Sequence, residues 1–110
     1  MMHRFALMTH ILTALLLSLT TAYSVAETIW IDVRSPAEFS VGHIDGAINI
    51  PHNKIAKTIH EKVPNKNADI KLYCRSGRRS ALSLAILQDL GYSRVADFGA
   101  YRRADTELLK

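Results

Sequence analysis

Apolar residues fall along this chain in short blocks whose spacing changes from one block to the next, and the changes predict strands alternating with helices. Residues 28–33, Thr-Ile-Trp-Ile-Asp-Val, are mostly β-branched or aromatic, which suits a strand buried inside a parallel sheet. Trp30 reads there as core rather than as a ligand platform. Ser35-Pro36-Ala37-Glu38 carries the spacing of a capping box with proline at the first helical position, so a short helix opens at Pro36 and Gly42 closes it. Residues 46–51 form a turn into a second short strand that Pro51 ends. Asn53 is placed to cap a helix whose Ile55, Ile59 and Val63 recur at four-residue spacing, with Lys54, Lys57, Glu61 and Lys62 on the wet side.

After a loop at 64–67, residues 70–73 make a third strand. The helix that follows, over 81–90, is dense in Ala, Leu and Ile, so most of its surface is expected to be buried, with Gly91 as its stop. Residues 94–97 read as a last strand, and Tyr101, Ala104 and Leu108 as one face of a terminal helix. The whole is an α/β fold, a small parallel sheet of about four strands flanked by helices.

The first 26 residues break this alternation. They hold 17 apolar residues, a basic start at His3 and Arg4, no acidic residue, and Ser24-Val25-Ala26 at their end. That is the layout of a secretory leader with small residues where a signal peptidase reads, so residues 1–26 are expected to be removed and 27–110 to form the single domain. An apolar run of about 20 residues would also suit a membrane span, but Thr9, His10, Thr13 and the Ser/Thr-rich stretch at 18–21 interrupt this one. Export to the periplasm, with no stable membrane insertion after cleavage, is the expectation.

Charge narrows the partners. The chain has 14 Lys+Arg against 10 Asp+Glu, a net +4, which becomes +3 once Arg4 leaves with the leader. The basic residues are scattered except near residue 74 and at Arg102-Arg103, a distribution that does not point to nucleic acid. A domain this small buries only about 60% of its unfolded surface, and its single cysteine, Cys74, gives it no internal disulfide. An exported protein with one unpaired thiol exposes it to oxidation or intermolecular pairing, a liability that calls for a chemical reason.

The reason lies in Cys74-Arg75-Ser76-Gly77-Arg78-Arg79-Ser80, where the third strand gives way to the apolar helix. The first N–H groups of a helix lack intrahelical partners and, with the helix dipole, favour negative charge. Arg75, Arg78 and Arg79 add full positive charges, and a cationic, partly exposed setting draws a thiol pKa below its free value of about 8.5. Gly77 permits a tight loop, and Ser80 can cap. A lone cysteine is most often a small hydrophobe, but no core needs three arginines in such a stretch. Asp32 and Arg34, at the end of the first strand, read either as an acid/base pair or as an ion pair that fixes loop geometry. His43, His52 and His60 lack the spaced partners of a zinc site, so no metal or other cofactor is expected, and His43 reads as a packing histidine.

Cys74, Gly77, Arg79 and Ser80 resemble the active-site loop of rhodanese-family sulfurtransferases, cysteine-x-x-glycine-x-arginine followed by serine. A second block, residues 31–39 through 42–51, is similar to the upstream signature of that family, with His43 in its glycine-histidine-isoleucine element. The resemblance spans about residues 29–101. It implies thiosulfate as sulfur donor, a persulfide on Cys74, and cyanide or a thiol as acceptor. It also implies a cradle of backbone N–H groups over residues 75–80, including Ser76, and a mainly structural role for Asp32 and Arg34. A monomer is expected. Two features depart from the family: no strand and helix precede residue 29 within the predicted domain, and Gly99-Ala100, followed by Tyr101, stands where paired glycines are common. Two alternatives stay open. Cysteine phosphatases and arsenate reductases also use such a turn, but place an arginine six positions after the cysteine, where this chain has Ser80. A non-turnover module that carries sulfur or binds a partner is the other.

Overall fold

The computed structural model describes residues 27–108, with side chains through residue 106. The expected leader, residues 1–26, and the side chain of Leu108 lie outside the described residues. Along the chain come β1 (Thr28–Asp32), α1 (Pro36–Val41), β2 (Ile48–Asn49), α2 (Ile55–Lys62), β3 (Asp69–Cys74), α3 (Arg78–Asp89), β4 (Val95–Ala100) and α4 (Tyr101–Leu108). The four strands lie in the order β2-β1-β3-β4 and every pairing is parallel.

Side chains alternate across a strand, so each strand serves two cores. Ile31 and Val33 from the β1 region join Ile70, Leu72 and Cys74 of β3 on one face, where Ile55 and Ile59 of α2 and Leu87 of α3 cover them. Trp30 and Tyr73 point the other way, into a smaller cluster with Ile44, Ala47 and Ala104, flanked by Phe39, Phe98 and Tyr101. Trp30 is core, as predicted, with its ring 5.1 Å from that of Phe98. Among the described residues no helix is long and apolar enough to cross a membrane.

Three elements differ from the sequence reading. Helix α3 buries Ser80, Ser83 and Leu87 while Leu82 stands out in solvent; a helix against a sheet hides one stripe, and among the described residues no further layer covers the rest. Asn53 caps nothing. Helix α2 instead has Lys54 at its N-cap with no side-chain bond, and the Lys54 N–H closes a turn by donating to the Pro51 carbonyl. Strand β4 runs on to Ala100, because a β-bulge sits where it passes the end of β3. Leu72 pairs with Asp97 but Cys74 pairs with Ala100, so β4 carries one residue more than β3 over that span. Gly99 turns the bulge at φ +72°, a region open to glycine at no steric cost, while its N–H donates to Asp97 Oδ1 at 2.8 Å. Ala100 has no such φ, so the departure at Gly99-Ala100 keeps a glycine at the position of the pair that requires one.

Candidate active site

Cys74 is the last residue of β3, at the carboxyl edge of a parallel sheet, where ligands of such sheets gather. The chain turns sharply over it: Gly77, at φ +102°, is the N-cap of α3 and offers no side chain to the helix. The first-turn N–H groups are thereby left to an anion. The Gly77 N–H donates to Sγ at 2.9 Å. A side chain at Gly77 would be strained by that φ and would meet the Cα of Gly99 at 3.6 Å, so the loop lies close against the bulge of β4.

Ser80 does not cap. It is buried in the first turn of α3, 3.4 Å from Sγ through its Oγ, and its hydroxyl donates to the Gly77 carbonyl at 3.1 Å. With the cysteine protonated, the S–H donates to Oγ. Once the proton leaves, the hydroxyl can rotate and donate to the thiolate, because a serine carries both a donor and lone pairs. Burial pushes the Cys74 pKa up, but the Ser80 hydroxyl and the N–H groups of Ser80, Gly77 and Ser76 outweigh it, and the thiol ends below its ordinary value. Of the two sources the sequence points to, N–H groups and arginines, the hydrogen-bond donors carry this shift. The sulfur is also less accessible than predicted, since Cys74 is 1% exposed: it ends the inward-facing row Ile70, Leu72, Cys74, and the loop folds over it.

The three arginines separate. Arg75 and Arg78 are exposed. Arg79, expected to add its charge beside them, has its guanidinium held by Glu38 of α1, with Nη1 donating to Oε1 at 2.7 Å and Nη2 to Oε2 at 3.0 Å. Glu38 is also the capping-box acid, accepting from the Ser35 N–H at 3.2 Å while the Ser35 hydroxyl caps its own N–H. The Arg79 hydrogen bonds, helped by those from Ser35 and opposed by burial, hold the Glu38 carboxyl down at about 2. The capping spacing exposes only half of what this residue does.

Asp32 and Arg34 form a buried strut. Arg34 donates from Nε to both Asp32 oxygens at 3.0 Å and from Nη2 to Oδ2 at 2.7 Å and the Gly42 carbonyl at 2.6 Å. The Arg34 N–H also reaches Oδ1 at 2.9 Å. The Asp32 hydrogen bond is the main reason the guanidinium is held more firmly protonated than usual. Tyr101 lies over it, 4.7 Å from Cζ to the ring centre, and the Asn49 side chain donates to the carbonyls of Asp32 and Arg34 at 3.0 Å each. With its oxygens so engaged, Asp32 is suited to support and not to proton transfer. The motifs give no individual role to Asn49 or Tyr101 and only half of that of Glu38, because each acts by bracing another residue.

Two clefts meet at Ser76. The larger, about 720 Å³, is lined by Arg34, Val41, Arg75, Tyr101 and Arg102 among others. The smaller, about 390 Å³, is lined by His52, Arg78, Arg79 and Leu82. His43 stays outside both, stacked on Phe39 with ring centres 3.6 Å apart and Nδ1–H donating to the Phe39 carbonyl at 2.7 Å; it is satisfied as expected, but on the exposed surface and not in the core. Among the described residues no three His, Cys, Asp or Glu side chains converge as a metal site would need.

Comparison with known proteins agrees with this geometry. A family profile described as the rhodanese-like domain matches residues 13–99. Thiosulfate sulfurtransferase PspE of Escherichia coli is 39% identical over 90 residues, covering 79% of this chain and 86% of that protein. A solved structure of a rhodanese with anions from E. coli superposes with a TM-score of 0.68 at 39% identity, over 70% of this chain and 91% of its own. A human single-domain sulfurtransferase gives a TM-score of 0.64 at 25% identity, over 84% of this chain and 88% of its own. Sheet, loop and relatives together define a sulfurtransferase. The chain belongs to the rhodanese-like family.

Proposed function

We propose that this protein moves the outer sulfur of thiosulfate through a persulfide on Cys74 to cyanide or a thiol. The Cys74 thiolate attacks the outer sulfur, the S–S bond of thiosulfate breaks with its electron pair leaving on sulfite, and a persulfide anion remains on Cys74. Cyanide or a thiolate then attacks that terminal sulfur, and the electron pair of the enzyme S–S bond returns to Sγ. One difficult transfer becomes two easier ones. The observation that carries this reading is the 2.9 Å hydrogen bond from the Gly77 N–H to Sγ at the unpaired start of α3. Donors fixed in that way favour the anion at Sγ and the charge that develops when a terminal sulfur enters the loop.

In this scheme Cys74 is the nucleophile, and the N–H groups of residues 75–80 form the cradle, with Ser76 on its rim and Ser80 as the rotating donor. Arg75 and Arg78 attract the anionic donor, and Arg79 holds the loop through Glu38. Asp32 and Arg34 keep the floor in place. The leader-like residues 1–26 support export to the periplasm of a domain formed by 27–110, acting as a monomer on small molecules, with no nucleic acid and no stable membrane insertion. Intact mass after exposure to thiosulfate tests the chemistry. The wild type should gain one sulfur atom, and Cys74→Ser none; an unchanged wild-type mass sinks the scheme. Steady thiocyanate production, as opposed to one sulfur loaded per chain, separates an enzyme from a carrier, and a phosphate-ester assay tests the phosphatase alternative.

A further inference from the structure

Gly42-His43-Ile44 lines neither cleft at the catalytic loop. Each of its residues is instead fastened to a different part of the fold. The Gly42 carbonyl accepts from Arg34 Nη2 at 2.6 Å. His43 Nδ1–H donates back to the Phe39 carbonyl of α1 at 2.7 Å, with the two rings stacked 3.6 Å apart. The Ile44 N–H donates to the Tyr73 hydroxyl at 3.1 Å. Tyr73 is fully buried and directly precedes Cys74 in β3, so it faces the opposite side of the sheet from the sulfur. The sulfur chemistry does not use it. Burial pushes its phenol above the ordinary range, and the neutral hydroxyl keeps hold of Ile44 up to alkaline pH.

These fastenings matter because α1 cannot hold its own place. It has six residues and buries none of them, and a helix shorter than about 12 residues is marginal on its own. Of its side chains, Phe39 packs against the smaller core, partly buried. Yet α1 carries Glu38, whose carboxylate takes both Nη groups of Arg79 at the start of α3. Helix α1 lies on the Tyr73 side of the sheet and α3 on the Cys74 side, so this ion pair reaches around the carboxyl edge, past the catalytic loop. Its geometry depends on where the end of α1 is held. We propose that Gly42-His43-Ile44 is a clamp, closed by Tyr73 and His43, that positions the catalytic loop by fixing α1 and with it the Glu38 carboxylate. Tyr73 and His43 are positioning residues: neither is a hydrogen-bond partner of Sγ, and both act through Glu38 and Arg79. The clamp deepens the sulfur-transfer reading and rests on it only for the rate measurement below.

Native-state hydrogen exchange at the Gly77 N–H, which donates to Sγ, reads the loop without turnover. His43 is exposed, so His43→Ala should fold. Its Gly77 amide should exchange about fivefold faster, the scale of one hydrogen bond, while the amide of Leu72, in the middle of β3, is unchanged. His43→Asn places a side-chain N–H near the lost Nδ1–H and should restore slow exchange. Tyr73→Phe deletes only the oxygen and should act on Gly77 as His43→Ala does. Both effects run through one ion pair, so adding either change to Glu38→Gln should give no further acceleration, where independent sites would add. In turnover with thiosulfate, His43→Ala should lower kcat about fivefold and leave KM within about twofold, since Arg75 and Arg78 are untouched. The clamp is overturned by a wild-type Gly77 rate in His43→Ala, by acceleration that His43→Asn does not reverse or that Leu72 shares, or by effects that add to that of Glu38→Gln. If Tyr73→Phe does not fold, the His43 variants decide. A wild type that fails to load sulfur overturns the sulfur chemistry instead, and the exchange rates then still decide the clamp.

Discussion

Burial alone would hold a thiol protonated, and at Cys74 four donors from Ser76, Gly77 and Ser80 reverse that sign. Ser80 supplies the only hydroxyl among them, so Ser80→Ala should move the pH profile of sulfur loading toward higher pH and slow loading at neutral pH about tenfold, the worth of one hydrogen bond to a charge. The thiolate's absorbance, followed as pH rises, reports the shift directly; an unmoved titration would show that Ser80 gives the anion nothing. Gly77→Pro removes the N–H at Sγ and cannot adopt φ +102°. Loading should fall at least about a hundredfold, read by intact mass against time, and near-normal loading would rule out the cradle. The cysteine and its glycine were legible from spacing because a motif names residues that share one turn, and here the Gly77 N–H lies on Sγ. The N–H groups at the start of the helix were legible too, but the Ser80 hydroxyl beside the sulfur was not, since its approach depends on how the turn folds.

At the level of elements, the Glu38–Arg79 pair ties α1 to α3 across the catalytic loop. A carboxyl held at about 2, against an ordinary 4.5, contributes stability that is fully present above the ordinary value and is lost as pH falls through about 2. The contribution is about 2 kcal/mol, less than the whole shift implies because the side chain is 29% exposed and water screens the pair. Glu38→Gln should therefore lower stability to urea at pH 7 by about that amount and flatten the loss between pH 5 and 2, while letting Arg79 and its loop move. Parallel unfolding curves for the two proteins across that range would deny the tie. Short apolar runs revealed β1 and β3, and the capping box revealed α1, because those patterns lie within one element. The exposed side of α3 and the bulge in β4 depend on what lies next door, on the lack of an outer layer among the described residues and on the gap between Gly77 and Gly99, so composition misled about the first and was silent about the second.

For the molecule as a whole, the sheet order brings the ends of β1 and β3 together with the start of α4, and so gathers Arg34, Arg75 and Arg102 from distant parts of the chain around one opening. That field should speed the approach of a dianion and should be screened by salt, whose Debye length is about 10 Å at 0.1 M. The apparent second-order rate of loading by thiosulfate should thus fall several-fold between about 0.01 and 0.3 M ionic strength, while discharge to neutral 2-mercaptoethanol stays nearly flat. Matching salt slopes for both steps would show that the arginines do not steer. The parallel α/β plan was open to reading from the alternation of patterns, whereas the gathering of these charges required the order of the strands. The depth of the sulfur also bears on how the protein ages. A disulfide between two copies would need both sulfurs within about 2.05 Å of each other, and a turn of backbone stands over each. Storage in air should accordingly yield oxygen adducts on a single chain, and non-reducing electrophoresis should show no covalent pair until the turn is loosened by denaturant.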